Sequence, residues 1–246
     1  MSKKLRVAVV GSGIGKAHAA SFDRLSDSFE LTAICDVNDA RARELAALAD
    51  VDVVCSNLDQ VCRLDNVDVI DLCTPPGLHF AQIQRVLASG KHCICEKPLV
   101  GSLREVDELI AAEQRSGRRV MPIFQYRYGN GLQKLKLLIE KGIAGQAYVS
   151  TIEMAWRRRM DYYAVPWRST WSASLGGTLT GHAIHLLDML TYVLGPVKNV
   201  FARTKTLVNP IEVEDCASVS LEMADGSLVA MSVTVGSVEQ MSRHRL

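Results

Sequence analysis

The feature that most constrains the fold of this chain is a regular alternation of apolar runs and helix-patterned segments in its first half. Each apolar run is short enough for a strand, and the segment after it shows helical spacing. A capping box, Ser102 with Glu105, predicts the start of a helix that ends at Gly117. The predicted strands are Leu5–Val10, Phe29–Cys35, Val51–Cys55, Val67–Cys73, Lys91–Cys95 and Arg119–Phe124. Because strands that are apolar throughout are typical of a sheet buried on both faces, residues 1–124 are expected to form an α/β domain with a doubly wound parallel sheet.

The pattern changes after residue 124, where strands that alternate polar and apolar residues follow one another. Strands are predicted over Gln146–Trp156, Val197–Val208, Ala217–Met223 and Ser227–Val235, and helices over Leu132–Lys141 and His182–Val193. Residues 157–180 lack clear periodicity. Alternation of this kind is typical of an antiparallel sheet with one solvated face. Residues 125–246 are therefore expected to form an α+β domain on a mostly antiparallel, open sheet. Because the chain ends directly after a strand, we expect this domain to be incomplete at its C-terminus.

Composition argues against several classes of partner. The chain is 48% hydrophobic and 22% charged with a formal net charge of +1, so its charge suggests no nucleic-acid or membrane-surface partner. The one basic run, Arg157-Arg158-Arg159, indicates a solvated face or a contact with an anionic ligand. Seven cysteines without a Cys-x-x-Cys pair fit reduced thiols, and neither a signal sequence nor a membrane-spanning apolar run is found. We therefore expect a cytoplasmic protein.

A glycine-rich turn follows the first strand and opens the first helix. Gly11, Gly13, Ile14 and Gly15 would let backbone N–H groups and the helix N-terminus approach a pyrophosphate. The third glycine comes one residue earlier than in the standard fingerprint, and the cluster alone is equally consistent with a structural turn. Asp36, just after the second strand, lies about 20 residues further on, where an acid binds the adenosine ribose. The two features together predict a Rossmann-type dinucleotide site that prefers NAD.

Two further strands end in candidates for the reaction. Thr74 and Pro75 follow the fourth strand, and His79 lies at the start of the next helix. This loop either lines the nicotinamide side of a cofactor or is a rigid turn between strand and helix. Glu96-Lys97-Pro98 follows the fifth strand. A lysine there emerges at the carboxyl edge of the sheet, where open α/β folds bind ligands, and the proline restricts the loop. Lys97 is therefore a candidate for contact with a substrate oxygen, the alternative being an exposed surface lysine.

The second half contains one dense group of titratable residues. His182, His185 and Asp188 fall near one face of the predicted helix. Imidazole and carboxylate are metal ligands, but no cysteine or glutamate completes a site, so we expect no metal. Proton transfer by a histidine is the favoured interpretation, because imidazole titrates near neutral pH. For Asp188 we expect simple helix packing.

Together these residues resemble the Gfo/Idh/MocA family of NAD(P)-dependent oxidoreductases, which includes inositol and glucose–fructose type enzymes. The resemblance runs along essentially the whole chain. It rests on an ordered set of motifs: the glycine turn followed by His18, then Asp36, Thr74-Pro75, Glu96-Lys97-Pro98, Trp167-Arg168, Gly176-Gly177 and His185-x-x-Asp188. The family implies a Rossmann domain followed by a domain whose open sheet packs against another subunit, which would give a homodimer or homotetramer. It also implies hydride transfer between a nicotinamide and a polyol or sugar carbon.

The resemblance implies roles for individual residues. Lys97 matches the family's active-site lysine, His185 matches its second-domain histidine, and Arg168 lies in a segment that reaches back towards the cofactor. The family often has an aspartate four residues before that histidine. Here the position is Gly181, and we hypothesise that His182 takes over part of the aspartate's role. The predicted catalytic residues are Lys97, His185 and His182. The predicted cofactor contacts are Gly11, Gly13, Ile14, Gly15, Asp36, Thr74, Pro75, His79, Glu96, Lys97, Gln125 and Arg168.

The expected function is therefore that of an oxidoreductase. It would transfer a hydride between a nicotinamide cofactor and the CH–OH group of a sugar, polyol or inositol-like substrate, with Lys97 and His185 handling the hydroxyl proton. NAD is the expected cofactor, and NADP stays possible because Arg41 and Arg43 follow Asp36. Two alternatives remain open: a non-catalytic dinucleotide- or sugar-sensing protein of the same fold, and an NADP-linked carbonyl reductase.

Overall fold

The computed structural model describes residues 3–246 and divides the chain into two compact units. The first unit ends at Ile123 and the second spans Phe124–Leu246. No helix within residues 3–246 is long and apolar enough to cross a membrane.

The first unit is built on a six-stranded parallel sheet. Its elements are β1 Leu5–Val10, α1 Gly15–Arg24, β2 Phe29–Cys35, α2 Asp39–Leu48, β3 Val54–Cys55, α3 Leu58–Cys62, β4 Val69–Leu72, α4 His79–Ala88, β5 His92–Cys95, α5 Leu103–Ser116 and β6 Val120–Pro122. The strand order is β3-β2-β1-β4-β5-β6, and every pairing is parallel. The order reverses between β1 and β4, and ligands of open α/β sheets bind at the carboxyl ends of the strands at such a point.

Both faces of this sheet are covered by apolar core. Ala8 and Val10 of β1 belong to one buried cluster, and Val7 and Val9 belong to another. Successive side chains of a strand point to opposite faces, so these two clusters lie on opposite sides of the sheet. All four side chains are at most 5% exposed. The structure therefore confirms the predicted doubly wound α/β architecture.

The second unit is built on a five-stranded sheet. Its elements are α6 Asn130–Glu140, β7 Val149–Arg157, α7 Met160–Tyr163, α8 Trp171–Ser174, α9 Ile184–Leu194, β8 Val197–Lys205, β9 Cys216–Met223, β10 Leu228–Thr234 and β11 Gly236–Arg245. The strand order is β11-β7-β10-β9-β8, in which only β10 and β7 pair in parallel. The sheet is mixed and mostly antiparallel, which confirms the predicted α+β fold of this half.

One face of the second sheet carries the core of this unit. Leu186 and Leu190 of α9 belong to one buried cluster with Ile152, Met154 and other inward residues of β7, β9 and β10. The other face is solvated, and every residue of β8 is exposed. Two features differ from the expectations: residues 157–180 contain the short helices α7 and α8, and β11 adds an edge strand that was not predicted.

Candidate functional site

The glycine turn of the first unit is built so that only glycine fits at two of its positions. Gly11 has φ +98°, and a Cβ there would lie 2.6 Å from the carbonyl oxygen of Cys73. A Cβ on Gly15 would lie 2.8 Å from Cγ1 of Val9. A Cβ on Gly13 would meet nothing within 4 Å. The turn therefore packs tightly against β1 and the end of β4, while its Gly13 backbone stays open to an approaching ligand.

Asp36 places a fixed negative charge beside this turn. Its Oδ2 accepts hydrogen bonds from the backbone N–H of Ser12 at 2.8 Å and from the Ser12 hydroxyl at 2.5 Å. Its Oδ1 accepts from the N–H of Asn38 at 2.8 Å. Burial favours the neutral acid, but these hydrogen bonds outweigh it and hold the pKa of Asp36 below its usual value. An ionised carboxylate accepts about four hydrogen bonds, so capacity remains for ribose hydroxyls. The residues present fit a dinucleotide.

The loops after β4 and β5 are tied together by His79. Its imidazole is fully buried, with Nδ1 2.9 Å from the carbonyl oxygen of Pro98 and Nε2 2.9 Å from that of Thr74. The Lys97–Pro98 peptide bond is cis. His79 therefore positions the two loops that carry Thr74-Pro75 and Lys97. Its direct contact with a cofactor stays a prediction.

A buried charged cluster that the sequence reasoning missed lies behind the lysine loop. His18 of α1 contacts Asp71 of β4 through Nδ1 at 2.8 Å and Glu96 through Nε2 at 3.2 Å. Burial opposes the imidazolium, but the hydrogen bonds to Asp71, Cys73 and Glu96 outweigh it and raise the pKa of His18 to about 12. Burial likewise opposes ionisation of Glu96, yet its bond to His18 and the nearby charge of Lys97 hold its pKa below the usual value.

The cluster also fixes the backbone of the lysine loop. Oε2 of Glu96 accepts the backbone N–H of Lys97 at 3.1 Å, while Oε1 faces His18. A signal for this cluster was present in the sequence, because Asp71 is an acid within an otherwise apolar strand. His18, Asp71 and Cys73 are also residue types that bind metals, with ligand atoms within 4.8 Å of one another. Hydrogen bonding accounts for their proximity, and the expected absence of a metal stays a prediction.

In the second unit, an irregular helical turn places the two histidines. Leu179–Ala183 forms a π-type turn that continues into α9, so His182 lies in the turn and His185 in the first turn of the helix. Single π turns within helices are frequent at functional sites. Both imidazoles are buried, and Tyr126 stacks on the ring of His185 with a centroid distance of 4.6 Å.

Glu214 anchors the entry to this turn. Its carboxylate accepts the backbone N–H groups of Gly177 at 2.9 Å and Leu179 at 3.0 Å, and its carbonyl oxygen accepts that of Thr178 at 2.8 Å. No local sequence pattern indicates this contact, because Glu214 lies 37 residues after Gly177. The Gly176-Gly177 motif therefore serves to position the histidine helix.

Asp188 forms an ion pair rather than a simple packing contact. The guanidinium of Arg127 makes a forked interaction with it, with Nη2 2.6 Å from Oδ1 and Nε 2.8 Å from Oδ2. Forked pairs of this kind are among the stronger charge-assisted hydrogen bonds. The pair joins α9 to the 3₁₀ turn Gln125–Tyr128, at the start of which Gln125 is exposed. Cofactor contact by Gln125 stays a prediction.

His182 accepts a hydrogen bond from an arginine. Nε of Arg158 lies 3.1 Å from Nε2 of His182, and because a guanidinium has only donors, this imidazole nitrogen carries no proton. Arg168 lies in the 3₁₀ turn Pro166–Ser169 with its guanidinium 4.2 Å from the centroid of the Tyr162 ring. The predicted catalytic role of His182 and the predicted cofactor contact of Arg168 stay predictions.

Comparison with known proteins identifies the family. Residues 5–124 match the family model for the Gfo/Idh/MocA oxidoreductase family with an NAD-binding Rossmann fold, and residues 132–246 match the model for the Gfo/Idh/MocA C-terminal domain. The chain belongs to the Gfo/Idh/MocA family. The N-terminal unit is thus the NAD-binding Rossmann domain of this family, as the glycine turn and Asp36 predicted.

Relatives of this Gfo/Idh/MocA chain include characterised dehydrogenases. The crystal structure of the WlbA dehydrogenase from Bordetella pertussis, in complex with NADH and UDP-GlcNAcA, is 32% identical with a TM-score of 0.92 and covers 97% of this chain and 73% of that chain. The D-glucoside 3-dehydrogenase of Escherichia coli is 30% identical over 82% of this chain and 58% of the relative. The myo-inositol 2-dehydrogenase of Thermotoga maritima is 29% identical over 83% of this chain. The chain thus spans only 58% and 60% of the length of these two curated relatives.

Proposed function

We propose that this chain carries the catalytic machinery of an NAD-dependent dehydrogenase that acts on the CH–OH group of a sugar, polyol or inositol-like substrate. The observation that carries the proposal is the charged Asp36 carboxylate, fixed by Ser12 beside the glycine turn. A carboxylate there binds the ribose hydroxyls of NAD and repels a 2′-phosphate. The relatives named as glucoside and inositol dehydrogenases support the substrate class.

The residues that would hold the dinucleotide lie at the carboxyl edge of the first sheet. Backbone N–H groups of the Gly11–Gly15 turn and the N-terminus of α1 would bind the pyrophosphate, and Asp36 would bind the adenosine ribose. When bound, NAD supplies the acceptor for a hydride. Thr74 and Pro75 would line the nicotinamide side, on a loop held in place by His79.

The remaining chemistry is the removal of the hydroxyl proton. We assign this to Lys97 and His185, one as general base and the other orienting the oxygen or relaying the proton. The Glu96 carboxylate, held by His18, fixes the backbone of Lys97. His182 would take part of the role of the aspartate that the family often has at position 181. Because Nε2 of His182 accepts from Arg158, this role would fall to Nδ1.

The protein is further proposed to assemble as a homodimer or homotetramer through the second sheet and to work in the cytoplasm. All seven cysteines are free in the structure, which fits a reducing compartment. An NADP-linked carbonyl reductase is the second candidate. Lys16 and Arg41 favour it, because both line a cavity of about 160 Å³ beside Ser12 and Gly13.

The test is Lys97→Ala, assayed with a panel of sugars and polyols and either NAD or NADP by absorbance of the reduced cofactor. We expect turnover to fall by a factor of at least about 100, since general acid–base catalysis contributes roughly that much or more. Dinucleotide affinity, measured by fluorescence, should stay largely intact, because Lys97 is only one of many predicted cofactor contacts. Lys141→Ala, at an exposed position after α6, is the matched control. Turnover in Lys97→Ala equal to that of the unmodified protein would refute the mechanism, and dinucleotide binding without turnover of any substrate would favour a sensor.

A further inference from the structure

A cavity outside the proposed dinucleotide and substrate site opens at the amino edge of the first sheet, where β1, β4 and β5 begin. Its volume is about 250 Å³. The charged and titratable side chains of its lining are Lys3, Lys4, Asp68, His92 and Arg118. A dinucleotide bound to an open α/β sheet lies at the opposite, carboxyl edge. We call this space the amino-edge cavity.

The imidazole of His92 and the guanidinium of Arg118 approach each other donor to donor. The backbone N–H of Arg119 donates to Nδ1 of His92 at 3.1 Å. A neutral imidazole has one acceptor nitrogen and one donor nitrogen, so the ring proton is on Nε2. Nη1 of Arg118 lies 3.5 Å from this Nε2, and a guanidinium nitrogen is also only a donor. The two N–H groups therefore do not bond to each other.

An oxyanion would accept from both of these donors at once. N–H···O bonds are about 2.9 Å long, so one oxygen can bond to two nitrogens that are 3.5 Å apart. Among residues 3–246, His92 is the only contact of the Arg118 guanidinium within hydrogen-bond distance, so Nη2 is available for a second oxygen. Nη1 and Nη2 lie side by side at the end of the guanidinium, and such a fork binds phosphate and carboxylate groups. The two side chains thus offer three N–H donors to one anion.

The positive charge of the cavity is not cancelled by its acid. Asp68 is the only carboxylate in the lining among the described residues, and Arg6 holds both of its oxygens, with Nη2 2.7 Å from Oδ1 and Nε 2.9 Å from Oδ2. The guanidinium of Arg6 holds the pKa of Asp68 well below its usual range. Within residues 3–246, neither the two lysines nor Arg118 has a carboxylate within ion-pair distance. The lining therefore keeps an excess of positive charge, which attracts an anion.

Other polar groups at this edge are bonded within the protein and do not compete for the donors of the cavity. The last carbonyl groups of α4 accept the backbone N–H groups of Ser89, Gly90 and Lys91, which offsets the partial negative charge of this helix end. Nζ of Lys91 donates to the carbonyl oxygens of Leu64 at 2.7 Å and Val67 at 2.9 Å. An acceptor for His92 and Arg118 would therefore come from a ligand.

We propose that the amino-edge cavity binds the phosphate group of a small molecule through Nε2 of His92 and the guanidinium of Arg118, with Lys3 and Lys4 adding charge. A phosphate ester carries nearly two negative charges near pH 7 and three strongly accepting oxygens. This matches the donors and cations of the cavity better than a singly charged carboxylate does. The cavity of about 250 Å³ is larger than a phosphate ion, so it leaves room for part of the molecule that carries the phosphate. The site is separate from the proposed dehydrogenase site and does not depend on that function.

The first experiment measures binding with NAD in excess, so that the glycine turn is occupied and cannot bind the phosphate itself. Inorganic phosphate, glycerol 3-phosphate and acetate are titrated at constant ionic strength, with isothermal titration calorimetry as the readout. We expect the phosphate compounds to bind at least about tenfold more tightly than acetate, with an affinity that falls as salt is added. Tighter binding of glycerol 3-phosphate than of the ion identifies a phosphate ester as the ligand, and the reverse identifies free phosphate. Binding of neither phosphate compound, or equal affinity for acetate, overturns the proposal.

The second experiment assigns the binding to the two side chains. In Arg118→Gln and in His92→Asn, the affinity for the phosphate compound that binds more tightly should fall at least about tenfold, because each variant loses donors to a charged group. The asparagine keeps an oxygen that can accept from the N–H of Arg119. Arg119→Gln is the matched control, because Arg119 is exposed, adjacent in sequence and outside the lining. Thermal unfolding in phosphate-free buffer checks that each variant is folded. Unchanged affinity in either variant of the pair overturns the assignment, as does an equal loss in Arg119→Gln.

Discussion

The imidazole of His18 lies between two carboxylates, and these neighbours determine its charge. Asp71 and Glu96 both contact it, and its pKa is raised to about 12 from the ordinary value of 6.5. In the unfolded chain the same group loses its proton near pH 6.5. Its contribution to stability is therefore fully present below pH 6.5 and is lost as pH rises towards the folded pKa.

This difference predicts a pH-dependent effect of His18→Gln. The substitution should lower the free energy of unfolding. The difference between the unmodified protein and the variant should be smaller at about pH 9 than at about pH 7, by on the order of 1 kcal/mol. Urea unfolding of both proteins at the two pH values measures it. A loss that is the same at both values would mean that His18 is neutral in the folded protein.

Single residues of the site were predictable only where their partners are close in sequence or fixed by a known spacing. The glycine turn and Asp36 belong to one βαβ unit, and their spacing alone predicted an acid beside the turn. His18 is separated from Asp71 by 53 residues and from Glu96 by 78. Contacts over such separations depend on strand order, which one sequence does not specify. The bond between Arg158 and His182 was missed for the same reason.

At the scale of elements, the histidine helix shows how a distant residue shapes a local turn. The sequence predicted a helix over residues 182–193, and the structure has a π-type turn over Leu179–Ala183 followed by α9. The turn begins where Glu214 binds the N–H groups of Gly177 and Leu179. A Cβ on Gly177 would lie 1.9 Å from the carbonyl oxygen of Glu214. This approach is possible only without a side chain.

Gly177→Ala should therefore disturb the helix entry severely. We expect it to lower the free energy of unfolding by about 3 kcal/mol or more, because backbone on both sides prevents relaxation. Gly131→Ala is the matched control: it lies in α6, and its Cβ would meet nothing within 4 Å. That variant should be neutral or stabilised by up to about 1 kcal/mol. Denaturant unfolding compares the two, and equal effects would contradict the role given to Glu214.

Strands were predicted well where burial imposes a pattern and poorly where it does not. Leu5–Val10 and Phe29–Cys35 were predicted with the bounds that the structure shows, because both lie within a buried sheet. β11 was missed. Its residues are mostly polar and exposed, and it is held by antiparallel pairing with β7. Backbone pairing leaves no periodic signal in the side chains, so an exposed edge strand cannot be distinguished from a loop in the sequence.

At the scale of the whole molecule, the solvated face of the second sheet carries exposed apolar side chains among polar ones. Phe201 of β8 pairs with Ser220 of β9, both of which lie on the face opposite the buried cluster. The exposed fractions are 65% for Phe201, 66% for Val149 and 53% for Leu228. Large apolar side chains that are exposed on an open face often mark a protein interface. This placement supports the proposed assembly through the sheet.

The assembly proposal predicts that a charge on this face separates the subunits. Phe201→Glu should convert a dimer or tetramer to monomers at protein concentrations where the unmodified chain is associated, because the charge would have to be buried in the interface. Light scattering coupled to size exclusion measures the mass over a dilution series.

Leu103→Glu, which changes an 83% exposed leucine at the start of α5, is the matched control and should keep the assembly intact. A mass that Phe201→Glu leaves unchanged would place the interface elsewhere, whereas dissociation by both variants would indicate a general effect of charge. Because Phe201 is exposed in the single chain, its replacement should leave the unfolding temperature of the monomer unaltered, which separates loss of assembly from loss of fold.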